Sequence, residues 1–317
     1  MSNSVSAFLR KWMLVISMAL GIGICLLLHY LPGASRLESS YHSLARSFQP
    51  VLVGVMLFLQ FNVTAPSDLR LHRWHLPLLL LQALLFAAFA FLAIVLPAGY
   101  LRLVAECAML CFICPTAAAS GVITSRIGGS LQQGMAYLLL SDLLATLLIP
   151  FVIPMVHPAA EVSYWHRLWV IGQRVFSILV LPCALAWLIR FFLPGVQKWL
   201  ARYTGWAFYV WGVCLMLAMS LATRSLLLSG TPFWMAAVIG MVALAACLLQ
   251  FLLGRRISRK HGRVESITAG QVLGQKNTGF LIWLGLGYLT PVTSVVGGFY
   301  ALWQNLVNSR ELRTYRN

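Results

Sequence analysis

Charge is the scarcest commodity in this sequence. Only 9% of its 317 residues are Asp, Glu, Lys or Arg, and just seven are acidic. So little charge cannot clothe a water-facing domain, and the stretches between apolar runs are too short to hold one. No HExxH occurs, no Ser/His/Asp set is legible, and the seven histidines (29, 42, 72, 75, 157, 166, 261) are scattered near the ends of apolar runs. Metalloprotease and triad-type chemistry are thereby excluded, and no enzyme is expected. Cysteine is lacking where a secreted framework would need it: all seven (25, 107, 111, 114, 183, 214, 247) fall inside apolar segments and read as buried small hydrophobes. Cys111 and Cys114 form a C-x-x-C, but no second ligand pair accompanies it.

What is abundant is apolar length. The chain is 60% hydrophobic with a mean hydropathy of +0.84, and it contains many runs that match the roughly 20 residues a helix needs to cross a bilayer. The expected class is an all-α polytopic membrane protein. Spans are expected at 13–31, 48–64, 74–98, 101–126, 131–156, 166–192, 204–226, 232–254, 264–287 and 290–308. The first run, after Arg10 and Lys11, is too long for a signal peptide and is read as a retained span.

The net charge of +16 does not point to nucleic acid, because the bases are not gathered with stacking aromatics on one face. Alternation assigns sixteen Lys and Arg to one side, among them the run RRISRKHGR at 255–263, and five (Arg36, Arg46, Arg102, Arg167, Arg224) to the other. That bias predicts both termini in the cytoplasm, with the protein integral to a bacterial cytoplasmic (inner) membrane and in contact with membrane lipid. The basic run is read as a cytoplasmic anchor, with a lipid-headgroup site as the weaker alternative. Arg174 and Lys276 are left inside spans. Arg174 is open between snorkelling to the surface and facing an anion across a cleft. Glu106 is open between an interface and a cavity role, and Glu265 is read as a solvated counter-charge to the basic run.

Ten spans divide into two sets of five, an odd number, so sequential halves at 1–158 and 159–317 would run in opposite directions. This is the geometry of an inverted repeat. The fourth span of each half is interrupted, by CPTAAASGVITSRIGG at 114–129 and by AGQVLGQKNTGFLIWLGLG at 269–287. Non-helical backbone inside a bilayer is tolerated only where protein covers it or where it lines a site, so paired interruptions point to a midplane binding site. A lysine at such a depth costs roughly 2.5–3.5 kcal/mol on insertion scales and calls for a partner or a function.

Five stretches carry a resemblance: GVMLFLQFNVTAPSDLR (54–70), Gln82, CPTAAASGVIT (114–124), TLLIPFVIP (146–154) and GQKNTGF (274–280). In order and spacing they resemble the bile acid:sodium symporter family. The resemblance implies a ten-helix inverted repeat with two broken helices crossing near the midplane, a core domain from spans 3–5 and 8–10, and a panel domain from spans 1, 2, 6 and 7. It also implies an organic anion as substrate (bile-acid-like, a sterol conjugate or a small carboxylate) and two sodium ions behind the crossover.

The departures are as informative. Where the family has Ser-Asn, this chain has Ser120-Gly121; the family's acidic ligand is Val272, its glutamine ligand is Lys276, and its threonine eight residues before Pro150 is Asp142. An ammonium supplies no oxygen and repels sodium. Residual oxygens are offered by Gln82, Ser120, Thr124, Ser141, Thr146, Gln271 and Gln275.

The expectation is an alternating-access transporter of an organic anion in which Lys276 stands in the place of a sodium ion and pairs with Asp142. Sodium or a proton remains open as the coupling ion, and no other cofactor is expected. The amides at Thr116–Ser120 and Gln275–Asn277 are expected to meet the substrate's anionic group. The alternative is a monovalent cation/proton antiporter built on the same Asp142 and Lys276, and a monomer or weak homodimer is expected.

Overall fold

In a bilayer every peptide group must find its partner within its own segment, which leaves helix as the solution for these Leu-, Ala- and Phe-rich runs. The computed structural model describes residues 2–158 and 162–314, with 2–12, 14 and 122 as backbone only. The side chains of Arg10 and Lys11, and all of Arg316, which entered the charge count, lie outside the described residues.

All regular elements among the described residues are helices, and none is a β-strand. In order the helices are α1 (Ser2–Tyr30), α2 (Ser35–Val63), α3 (His75–Val95), α4 (Tyr100–Ile113), α5 (Ser120–Arg126), α6 (Leu131–Val156), α7 (Tyr164–Leu179), α8 (Leu181–Phe192), α9 (Pro194–Ala201), α10 (Ala207–Leu228), α11 (Phe233–Ser258), α12 (Arg263–Gly274), α13 (Thr278–Tyr288) and α14 (Val295–Thr314). Five helices are long and apolar enough to cross a membrane: α2, α3, α6, and α10 and α11 with the short 3-10 turns flanking them. A sixth span is made if α7 and α8, bent by 46° at their junction, count as one. The bend falls at Val180 with Pro182 in the first turn of α8, where proline removes a helical donor.

Among the differences from the expected spans, one is a helix start and one is a whole helix. Helix α2 starts at Ser35, not near residue 48, so the polar stretch SRLESSYHSLARS is helical. Hydropathy marks only the apolar part of a helix, whereas this extension is held by burying His42 and Ala45. The short helix α9 was not expected at all. It packs on α2, where Asn62 Nδ2 donates to Gln197 O at 3.3 Å and Gln197 Nε2 donates to Asn62 O at 2.8 Å.

Packing separates the helices into two groups. In one, α1 and α2 lie on α10 and α2 lies on α8; in the other, α3 lies on α4 and α6, and α11 lies on α4, α12 and α14. Close approach uses glycine where Cβ has no room. A Cβ at Gly21 of α1 would lie 2.2 Å from Met216 O of α10, and one at Gly254 of α11 would lie 2.4 Å from Ala269 O of α12. The groups meet along α6 with α7, α10 with α13 and α14, and α2 with α13.

Candidate functional site

The two interruptions meet. Between α4 and α5 and between α12 and α13 the backbones turn extended and pair antiparallel around Thr116 and Lys276. Ala117 N donates to Gln275 O at 2.9 Å and Asn277 N donates to Pro115 O at 2.8 Å. Breaking a helix here leaves its last carbonyls without partners, and side chains from other helices supply them. Gln82 Nε2 donates to Ile113 O at 3.3 Å, Gln250 Nε2 to Cys111 O at 3.2 Å, Thr116 Oγ1 to Val272 O at 2.7 Å and Tyr300 OH to Gly274 O at 2.9 Å. The remaining donors are also used: Thr116 N meets Ser141 Oγ at 3.0 Å, Lys276 N meets Gln304 Oε1 at 2.8 Å, and Asn277 caps α13 by accepting from Phe280 N at 3.2 Å.

Most of the expected anion cradle is closed by the protein itself. The amides of Thr116, Ala117, Ser120, Gln275, Lys276 and Asn277 donate within the protein, whereas Ala118 and Ala119 of the expected set border the small cavity. Several expected oxygen ligands are likewise engaged. Thr124 donates to Ser120 O and Thr146 to Asp142 O, both at 2.7 Å; Ser141 donates to Leu138 O at 2.8 Å; Gln82 Oε1 accepts from Tyr137 OH at 3.2 Å. The Ser120 hydroxyl is buried without a partner among the described residues. Gln275 donates to Gln271, and Gln271 to Glu311, which pairs with Arg255 at 2.5 Å. These two glutamines therefore run from the crossover towards the basic end of the molecule.

The expected Lys276–Asp142 ion pair is not made. Both residues are buried, at 1% and 0% exposure, and Lys276 Nζ and both Asp142 carboxylate oxygens lack a partner among the described residues. Helix geometry supplies the reason. Ser141 turns its hydroxyl to the crossover, and the next residue on the same helix points about 100° away. Asp142 and Lys276 both lie within electrostatic range of Cys114, Asp142 also of Cys183 on α8 and Lys276 also of Cys111. All seven cysteines are free and buried, and no group of three or more His, Cys, Asp or Glu suited to a metal ion occurs among the described residues.

One space borders the crossover and a larger one lies further along α13. The small one, of about 30 Å³, bordered by Gln275, Lys276, Asn277, Gln304 and Asn305, has room for one or two waters. The large one, of about 820 Å³, opens between α2, α7, α8 and α13, walled by Phe58, Leu185 and Trp283 and carrying Arg46, Arg174 and Gln49. Arg174 thus stands on the cleft. Gln49 is buried and ties α2 to the start of α13 by donating to Gly279 O at 2.9 Å.

Glu106, at 2% exposure, is a fastening point. It accepts from Arg102 Nε at 3.2 Å and Thr293 Oγ1 at 3.2 Å, and pairs with His157 Nε2 at 2.8 Å, joining α4 to the end of α6 and to the turn before α14. Glu265 faces Gln133 Nε2 at 3.5 Å.

Sequence reasoning missed Gln250, Tyr300, Gln304 and Arg46. A lone glutamine in the apolar run VALAACLLQFLLG is a signal that would have found Gln250, because an amide at that depth needs partners. No family model matches this chain, and a search of curated proteins finds no relative.

Proposed function

We propose that this chain is a secondary transporter of an organic anion and that it works by alternating access. In this reading the helices form ten spans as two inverted five-helix repeats, with α4/α5 and α12/α13 as the broken fourth span of each. The core is α3–α6 with α11–α14, and the panel is α1, α2, α7/α8 and α10. The observation that carries the reading is the large cavity at the seam of the two helix groups, tied to the start of α13 through Gln49, with two arginines and two glutamines in a mainly apolar wall. Arginine offers a forked, permanently charged donor to carboxylate or sulfate, and phenylalanine, leucine and tryptophan offer a surface to an apolar body. The resemblance to the bile acid:sodium symporter family points the same way.

Relative movement of the groups would expose the cavity alternately on either side, with the basic end of α11 and α12 in the cytoplasm. Coupling is left to measurement. Uptake of bile acids, sterol sulfates and small carboxylates into proteoliposomes, with imposed sodium or proton gradients, tests the proposal. Saturable uptake weakened by Arg174→Gln is expected; absence of uptake for every anion class would sink it.

A cation/proton antiporter is the second reading, favoured by one observation: Asp142 and Lys276 are both buried and unpartnered, as groups that exchange ions or protons are. Cation-driven proton efflux from everted vesicles, lost in Asp142→Asn, would select it.

A further inference from the structure

Arg46 borders two cavities. Besides the large one it lines a second space of about 280 Å³, formed with Arg224, Ser225, Leu221, Leu228 and Val292, between α2, α10 and the turn that precedes α14. This second space is where no function has yet been placed. Its composition repeats that of the large cavity at a smaller scale: two guanidinium groups above leucine and valine walls.

The charges around it are few and can be named. Arg224 Nε holds Glu38 Oε1 at 3.4 Å, and Glu38 in turn faces His29 Nδ1 at 3.5 Å. His42, buried, lies within electrostatic range of Arg46, Arg224 and Glu38. Glu38 is the acid that offsets this cluster. Arg46 is exposed and has no ion-pair or hydrogen-bond partner among the described residues.

We infer that the space between Arg46 and Arg224 is a second binding site for a compact carboxylate, sulfate or sulfonate, an entry station that passes an anion to the large cavity through the shared Arg46. The inference rests on the reading of the large cavity as the transport site. A guanidinium carries five N–H donors, enough to present one edge to each space. Arg224 commits its Nε to Glu38 and also lines the space. Pockets that hold small ligands start near 300 Å³, so this one suits an anion with one ring or a short chain, whereas the large cavity accepts a larger body.

The test uses the full-length protein in nanodiscs and radiolabelled 4-toluenesulfonate in equilibrium dialysis. Wild type should bind two sulfonates per chain. Arg224→Gln should leave one, Arg174→Gln should leave one, and Arg46→Gln should weaken both by about tenfold, the loss of one charge-assisted contact. Arg224→Lys, which keeps the charge, should retain the second site, and Glu38→Gln should tighten it several-fold by removing the competing carboxylate. Thermal melts of each variant identify any that fail to fold, in which case Glu38→Gln decides alone. A single sulfonate removed by Arg174→Gln and indifferent to Arg224 and Glu38 overturns the entry station while the transport cavity stands. A single sulfonate removed by Arg224→Gln and indifferent to Arg174 overturns the transport cavity instead. No bound sulfonate overturns both.

Discussion

Buried polar residues in this protein fall into two kinds. Gln82, Thr116, Gln250, Tyr300 and Gln304 each complete a backbone group freed by a helix break, and their worth is the desolvation penalty they prevent. Replacing Gln304 by Leu strands the Lys276 N–H in the interior and should lower stability by about 1–3 kcal/mol, read as a lower melting temperature in nanodiscs; Gln304→Glu, which keeps an acceptor, should lose less. Asp142 is of the other kind. Its carboxylate oxygens have no partner among the described residues, so the isosteric Asp142→Asn removes a desolvated acid without removing a described contact and should raise the melting temperature. A lower one would mean that an unseen partner holds the acid.

At the scale of elements, two devices position the site. Glycine brings α11 against α12, and side-chain caps allow α4 and α12 to stop inside the protein. The steric device predicts a contrast. Gly254→Val places a branched side chain where even Cβ would lie 2.4 Å from Ala269 O, and overpacking of this type costs about 1–3 kcal/mol or more. Gly23→Ala, on the exposed side of α1 with nothing within 4 Å of its Cβ, should stabilise by up to about 1 kcal/mol. Both are checked by thermal melts of the purified protein. The capping device was only half legible beforehand. CPTAAAS and GQKN announced the breaks, because Pro, Gly and Asn interrupt helices, but nothing local in Gln82 distinguished a cap from an ion ligand. Both roles demand a polar group at membrane depth, and only the neighbours tell them apart.

For the whole molecule, the distribution of bases makes a prediction of orientation. Ala98 lies on the exposed connection between α3 and α4, and Lys260 on the exposed connection between α11 and α12 at the opposite end. All seven native thiols are buried, so a membrane-impermeant maleimide should label Ala98→Cys only from outside intact cells and Lys260→Cys only from inside. The reverse pattern would overturn the assignment of the basic end to the cytoplasm.

Composition and hydropathy by themselves determined that this is an apolar helical chain, since a bilayer admits few backbone solutions. The places where helices had to break were legible too, because proline, glycine and carboxamides act on the residue that carries them. What only the tertiary structure decided is which polar groups meet. It left Asp142 and Lys276 without the ion pair expected of them, while Ser141, the residue before Asp142, meets Thr116 N at the crossover. It spent most of the crossover amides on partners within the protein, and it brought Arg46 and Arg174 to one cavity. Such meetings depend on the rotation and packing of helices far apart in sequence, and no run of residues encodes them locally.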